Sequence, residues 1–340
     1  MLEASNGPLA EAFDLGMFDL DGVVYVGGHA VPHAPESLAA AAARGMRLAY
    51  ITNNASRTPA AVADHLTDLG IEATVADVVT SAQAAARVLA DKLGPGARVV
   101  CLGAAGLLEA LAAEQLVPVG VEDDADALVT GYGPDVLWKD IMRAAVRIRD
   151  GLWWVASNTD MSIPTAYGTA PGHGVLVDTV RRFAGIEPVV AGKPARPLLE
   201  ETIRRVGGDR PLMVGDRLDT DIAGACALEI PSLLVLTGVT GLPELVAARP
   251  EERPIYLAPD LEGLLVTHPA PQVSADGVTL GGWSARTRAD GALVVDGHGE
   301  PADWWRVVAV AGWRHLDASG GPADTTGLVV PAPGSGGGSG

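Results

Sequence analysis

The sequence is poor in cysteine, lysine and aromatic residues, and it contains no long apolar run. Its 2 cysteines, Cys101 and Cys226, lie far apart without metal-ligand or redox spacing, which argues against a disulfide framework or a zinc site and fits a reducing cytoplasm. No segment approaches the roughly 20 apolar residues that a bilayer span requires. The N-terminus also lacks a basic stretch followed by an apolar one, so a cytoplasmic protein without membrane contact is expected. Basic residues number 24 against 42 acidic ones, a formal net charge of −18, which disfavours nucleic acid and anionic lipid as partners. Lysine occurs only at Lys92, Lys139 and Lys193.

What is present is a chain of 340 residues, 48% hydrophobic and rich in Ala, Val and Leu, enough for two domains or one domain with a large insertion. Apolar runs of strand length alternate with helical patterns: Leu15 to Leu20, Arg47 to Ile51, Arg98 to Leu102, Ala127 to Thr130, Leu152 to Ala156, Leu212 to Val214 and Ser232 to Leu236. Such alternation predicts parallel sheets built of strand-helix-strand units, an α/β fold. One intervening helix is especially legible, with Thr58 as cap, Pro59 in its first turn, Val62, Leu66 and Leu69 as its stripe and Gly70 at its end.

Strands at the two ends of this region run into polar turns, Asp19-Leu-Asp-Gly, Thr52-Asn-Asn and Gly215-Asp-Arg-Leu-Asp-Thr-Asp, whereas strands between about 82 and 182 run mainly into Gly-rich turns. Ligands of open α/β sheets bind beyond the carboxyl ends of strands, so the first set could converge on one crevice. The expected organisation is a core of 12–81 and 183–266, an inserted α/β domain at 82–182, a small β-rich appendage at 270–332 and a flexible Gly/Ser tail at 333–340. The appendage is read from Gly- and Asp-punctuated short runs such as Ala292 to Val295 and Trp304 to Val310.

Four features carry chemistry suited to a phosphate monoester. Cleaving one needs an aligned nucleophile, positive charge on the equatorial oxygens and a proton for the leaving alkoxide. In Phe18-Asp19-Leu20-Asp21-Gly22, two carboxylates leave one strand two residues apart, the first able to attack phosphorus and the second to carry protons. Thr52-Asn53-Asn54 offers a hydroxyl and backbone amides. Gly192-Lys193-Pro194 offers a compact positive charge before a helix. Asp216, Asp219 and Asp221, just after a strand, offer hard oxygen donors suited to Mg²⁺, a charge that would offset the repulsion between an acidic protein and an anionic substrate. Read singly, each also fits an ordinary turn or a solvated surface group.

In this order and spacing the four features resemble the haloacid dehalogenase superfamily of phosphatases, and within it the subclass with a large α/β cap. That subclass includes glycerol-3-phosphate, phosphoglycolate, p-nitrophenyl phosphate, pyridoxal-phosphate and nucleotide phosphatases. The resemblance spans about 12–266 and implies a Rossmann-like parallel core with an inserted cap. It implies Asp19 as nucleophile and Mg²⁺ ligand, and Asp21 as general acid/base with its carbonyl on Mg²⁺. Leu20, Thr52, Asn53 and Lys193 would hold phosphate, and Asp216 and Asp221 would hold Mg²⁺. In the cap, Asn158, Asp160 and His173, within Ser157-Asn-Thr-Asp and Pro171-Gly-His-Gly, would face substrate.

The implied activity is hydrolysis of a small phosphorylated metabolite, glycerol 3-phosphate or phosphoglycolate first, through a phosphoaspartyl intermediate, with a homodimer as the possible assembly. Alternatives are a pyridoxal-phosphate or nucleotide phosphatase, phosphoryl transfer to another hydroxyl, or a phosphometabolite-binding protein without turnover. The chain beyond 266 is similar to the extension of some glycerol-3-phosphate phosphatases. It lacks the Gly-rich loop that an acyltransferase would open a helix with.

Overall fold

Strands form where the chain is apolar on both faces. Leu15–Asp19, Ala127–Thr130 and Ser232–Val235 are buried at every position, the pattern of parallel strands covered by helices on both sides. The structure, a computed structural model, describes residues 1–165 and 168–331; the tail expected at 333–340 lies outside them. The chain divides into two compact units, one of Met1–Leu48 with Asp209–Gly340 and the other of Ala49–Gly208.

In the first unit, four strands run parallel in the order Tyr256–Ala258, Ser232–Val235, Pro211–Gly215, Leu15–Asp19. Leu15 pairs with Pro211, Met213 with Ser232 and Leu233 with Tyr256. The register brings the ends of Leu15–Asp19 and Pro211–Gly215 level, because Phe18 pairs with Val214, and the residues that follow both strands leave the sheet side by side. The strand Leu212 to Val214 read from sequence is therefore one residue longer at each end.

The C-terminal segment of this unit begins as expected with a four-stranded antiparallel sheet of Gln272–Val273, Val278–Leu280, Trp283–Thr287 and Leu293–Gly297. The run Trp304 to Val310, expected as a strand, is instead part of a 19-residue helix, Pro301–Ser319. Its aromatic and β-branched residues suggest a strand, but Trp304, Val307, Val308 and Ala311 recur at helical spacing and are all buried. Pro301 opens the helix, Asp303 lies in its first turn, and Gly320 closes it at φ 78°. The helix packs into the same apolar cluster as Leu234, Leu245, Val246 and Leu257. Trp313 Nε1 donates to the Leu245 carbonyl at 2.7 Å, and buried Arg306 donates to the Leu257 carbonyl at 3.1 Å. The segment is thus part of the unit's core.

The second unit holds a five-stranded parallel sheet in the order Val189–Val190, Trp153–Ala156, Ala127–Thr130, Arg98–Leu102, Val117–Val119. The end of Arg47–Thr52 pairs here with Val78–Thr80. The helix Pro59–Asp68 starts under the Thr58 hydroxyl, which accepts from the Ala61 amide. An antiparallel hairpin, Ser162–Thr165 with Gly168–Pro171, precedes the helix His173–Ala184. Both cysteines are free thiols, and burial pushes that of Cys101 up to about 12. Among the described residues no helix is long and apolar enough to cross a membrane.

Candidate active site

In the first unit, the three carboxylates expected around Mg²⁺ come together. Asp19, Asp216 and Asp221 are buried, and each offers one oxygen within 4.8 Å of the others. Two unit charges about 4 Å apart repel by about 4 kcal/mol at an effective dielectric of about 20. Three such groups in one buried cluster call for compensating positive charge. Part of the compensation is built in: Asp216 Oδ2 accepts from the Val239 amide at 2.6 Å, and Asp221 Oδ2 accepts from the amides of Asp216 and Arg217 at 3.2 and 3.1 Å.

The backbone around the cluster is shaped by missing side chains. A Cβ on Gly22 would lie 2.5 Å from Asp216 Oδ2, one on Gly238 2.0 Å from the same atom, and one on Gly215 2.2 Å from Asp221 Cβ. Gly22 also sits at φ 92°, a conformation that L side chains avoid. A small hard divalent cation fits this donor set of carboxylate oxygens in a close-walled cradle, and Mg²⁺ is the usual choice for such donors.

Asp21 lies outside the cluster. Its strand ends at Asp19, the Leu20 carbonyl accepts from the amides of Val23, Val24 and Tyr25, and the resulting turn leaves Asp21 exposed beside three buried acids. Asp219 also stays out, paired with Arg217 at 2.8 Å at the surface. The sequence reading missed the turn after Ser232–Val235, although it contributes three contacts: the Thr237 hydroxyl on the Gly22 carbonyl at 2.6 Å, the bare Cα of Gly238, and the Val239 amide. Its signal was available in Thr237-Gly238 at the carboxyl end of a wholly buried strand.

In the second unit, the turns after Thr52, Ala156 and Ala191 meet around Asn53. Asn53 Nδ2 donates to Asp160 Oδ1 at 3.0 Å and to the Lys193 carbonyl at 3.1 Å, while Asn53 Oδ1 accepts from the Lys193 amide at 2.8 Å. Asn158 Nδ2 and the Ser81 hydroxyl both donate to the Asn53 carbonyl, at 2.7 and 2.6 Å. Thr52 is buried, and its hydroxyl accepts from the Asn54 amide at 3.0 Å. Lys193 is 2% exposed. The expected phosphate and cap residues Asn53, Asn158, Asp160 and Lys193 are therefore neighbours, with the Asn53 side chain engaged by protein groups.

His173 packs against Thr130 at the start of the helix His173–Ala184. It is 4% exposed, with Nε2 3.2 Å from the Thr130 hydroxyl, and burial holds its imidazole down at about 4, so the ring is neutral at physiological pH. The glycines beside it answer to packing, since a Cβ on Gly172 would lie 2.3 Å from the Asp160 carbonyl oxygen and one on Gly174 2.1 Å from that of Thr159. The Pro-Gly-His-Gly signal thus marks a close approach of two backbones.

Comparison with known proteins joins these observations. The family model for haloacid dehalogenase-like hydrolases matches residues 16–117, and a second HAD-hydrolase-like model matches 190–264. The D-glycerol 3-phosphate phosphatase of Mycobacterium tuberculosis is 43% identical over 290 residues, 83% of this chain and 80% of that protein. Crystal structures of glycerol phosphate phosphatase from the same organism superpose with TM-scores of 0.82 in complex with calcium and 0.81 in complex with magnesium. They are 40% and 42% identical and cover 95% and 90% of this chain, against 93% and 92% of theirs. The chain belongs to the haloacid dehalogenase-like hydrolases. Its chemistry is that of a Mg²⁺-dependent phosphoric monoester hydrolase, as expected from the four motifs.

Proposed function

We propose that the chain hydrolyses D-glycerol 3-phosphate through an aspartyl-phosphate formed on Asp19. The observation that carries the reading is the buried trio of Asp19, Asp216 and Asp221 at the ends of adjacent strands. The 43% identical relative named for that substrate supports its choice over phosphoglycolate. Asp19, Asp216 and Asp221 would hold Mg²⁺ with the Asp21 carbonyl, and the ion would supply positive charge where negative charge accumulates on the phosphoryl oxygens.

The chain's own groups take the remaining roles. One Asp19 oxygen attacks phosphorus as the alkoxide leaves. Asp21, exposed and two residues further on, gives that alkoxide its proton and then takes one from the water that opens the acyl phosphate. The Thr52 hydroxyl and the backbone amides of Leu20 and Asn53 donate to phosphate oxygens, and the Lys193 ammonium offsets their charge. The segment 82–182 acts as the cap over a core of 12–81 and 183–266. The protein works in the cytoplasm on a small phosphorylated metabolite, as a homodimer.

Turnover of a panel of phosphorylated metabolites with Mg²⁺, ranked by kcat/KM, tests the substrate: D-glycerol 3-phosphate ranks first, and preference for phosphoglycolate or a nucleotide refutes that choice. Asp19→Asn abolishes phosphate release from p-nitrophenyl phosphate while the circular dichroism spectrum stays unchanged. Turnover retained by that variant would remove Asp19 from its role.

A further inference from the structure

Asn53 stands next to a phosphate-binding hydroxyl in sequence, yet its side chain is fully committed elsewhere. A carboxamide offers two N–H donors and one carbonyl oxygen. Both donors are used, on Asp160 Oδ1 and on the Lys193 carbonyl, and the oxygen takes the Lys193 amide. The reverse orientation of the amide would set its oxygen against a carboxylate and a carbonyl, and its NH₂ against an N–H, so the contacts fix the assignment. Gly192 makes the approach feasible, since a Cβ there would lie 2.6 Å from Asn53 Oδ1.

The clamp has a second layer. Asp160 is oriented by its own amide, which donates to Asn158 Oδ1 at 3.1 Å, and Asn158 in turn donates to the Asn53 carbonyl. Three turns that share no sequence neighbourhood, at 52–54, 157–160 and 192–194, are therefore tied through one side chain. The only lysine among the proposed site residues sits on the third of them.

We propose that Asn53 is a positioning residue for Lys193, and that Asp160 orients the Asn53 carboxamide. The assignment rests on the phosphatase reading in which Lys193 faces the phosphoryl group. Within it, the carboxamide fixes the backbone from which the ammonium extends, and the 157–160 turn sets the carboxamide. A misplacement of about 1 Å in such a group costs about 10²-fold in rate.

The test is a charge-swap cycle with Mg²⁺ and p-nitrophenyl phosphate. Asn53→Asp keeps an acceptor for the Lys193 amide but sets carboxylate against carboxylate at Asp160 and loses both donors. We expect kcat and kcat/KM to fall together by about 10²-fold, as for an interaction realised in the transition state. Asp160→Asn alone costs less, because its amide can turn an oxygen to Asn53 Nδ2. The double variant N53D/D160N restores a donor-acceptor pair and recovers about tenfold of the loss, the coupling expected of two residues in one network. A merely structural role would lower the melting temperature but leave kcat per folded molecule, and the swap would recover nothing; that result overturns the proposal.

Hydrogen exchange of the Lys193 amide supplies a readout independent of turnover. Asn53→Ala raises its exchange rate about tenfold or more, and Asn53→Asp does not. Unchanged exchange in Asn53→Ala also overturns the clamp. Failure of the wild-type protein to release phosphate would count against the phosphatase reading alone, and the exchange measurement would still decide the clamp.

Discussion

Replacing Gly238 with alanine should weaken Mg²⁺ binding more than it weakens the fold. The added Cβ would lie 2.0 Å from Asp216 Oδ2 and 2.8 Å from the Gly22 Cα, so neither neighbour leaves room. Relief requires the Asp216 carboxylate to move by roughly 1.5 Å, because atoms in contact sit about 3.5 Å apart. Moving it breaks the 2.6 Å bond from the Val239 amide. A hydrogen bond to a charged group contributes about 1.5–3 kcal/mol, and every 1.4 kcal/mol is about tenfold in affinity. The expected loss is therefore about 10- to 10²-fold in the Mg²⁺ concentration that half-activates phosphate release. The assay is a Mg²⁺ titration of turnover at saturating p-nitrophenyl phosphate, with Gly28→Ala as control because nothing lies within 4 Å of a Cβ there. An unchanged half-activating concentration in Gly238→Ala would refute the reasoning that this glycine shapes the ion's cradle.

Two further outcomes follow from buried groups. His173 holds its imidazole neutral at about 4 against an ordinary value of 6.5, so its contribution to stability is complete above about pH 6.5 and is lost as pH falls toward 4. Between pH 7.5 and 5.0 it should withdraw about 2 kcal/mol. His173→Gln, which cannot titrate but can still bond the Thr130 hydroxyl, should show a smaller drop in melting temperature over that interval, and an identical drop would contradict the assignment. Trp313→Ala removes a 1% exposed indole from the cluster it shares with Leu245 and Val246, at a cost of about 3–5 kcal/mol. Trp313→Phe, which loses chiefly the bond to the Leu245 carbonyl, should cost less; a melting temperature unmoved by either would mean that the C-terminal helix does not belong to this core.

The legible parts of the sequence were those where one local rule decided the outcome. Arg98–Leu102 and Ala127–Thr130 form strands with the bounds read from their apolar runs, because a strand buried on both faces has no competing pattern. Asp19 and Asp216 were legible for a related reason: a carboxylate that closes or directly follows such a strand is too costly to bury without a charge to meet it, whereas Asp221, six residues past Gly215 in the turn Leu218–Ile222, was legible only through the spacing of the motif. Trp304 to Val310 was misread because composition and period disagreed there, and burial followed the period. The close approach that Gly172 and Gly174 allow was not legible in Pro-Gly-His-Gly, because no linear reading brings those two backbones together.

Asn53 shows what kind of information a linear motif omits. Thr-Asn-Asn at a strand end announces a polar turn, and the resemblance assigned its first two residues to phosphate alike. The hydrogen bonds separate them: the Thr52 hydroxyl accepts from the Asn54 amide in its own turn, while the Asn53 carboxamide spans 140 positions to Lys193 and 107 to Asp160. A side chain with one acceptor and two donors is better suited to joining backbone turns than to holding a dianion, which wants donors alone. Two adjacent polar residues in one motif can therefore differ in reach, one bonded within its own turn and the other joining turns far apart in the chain.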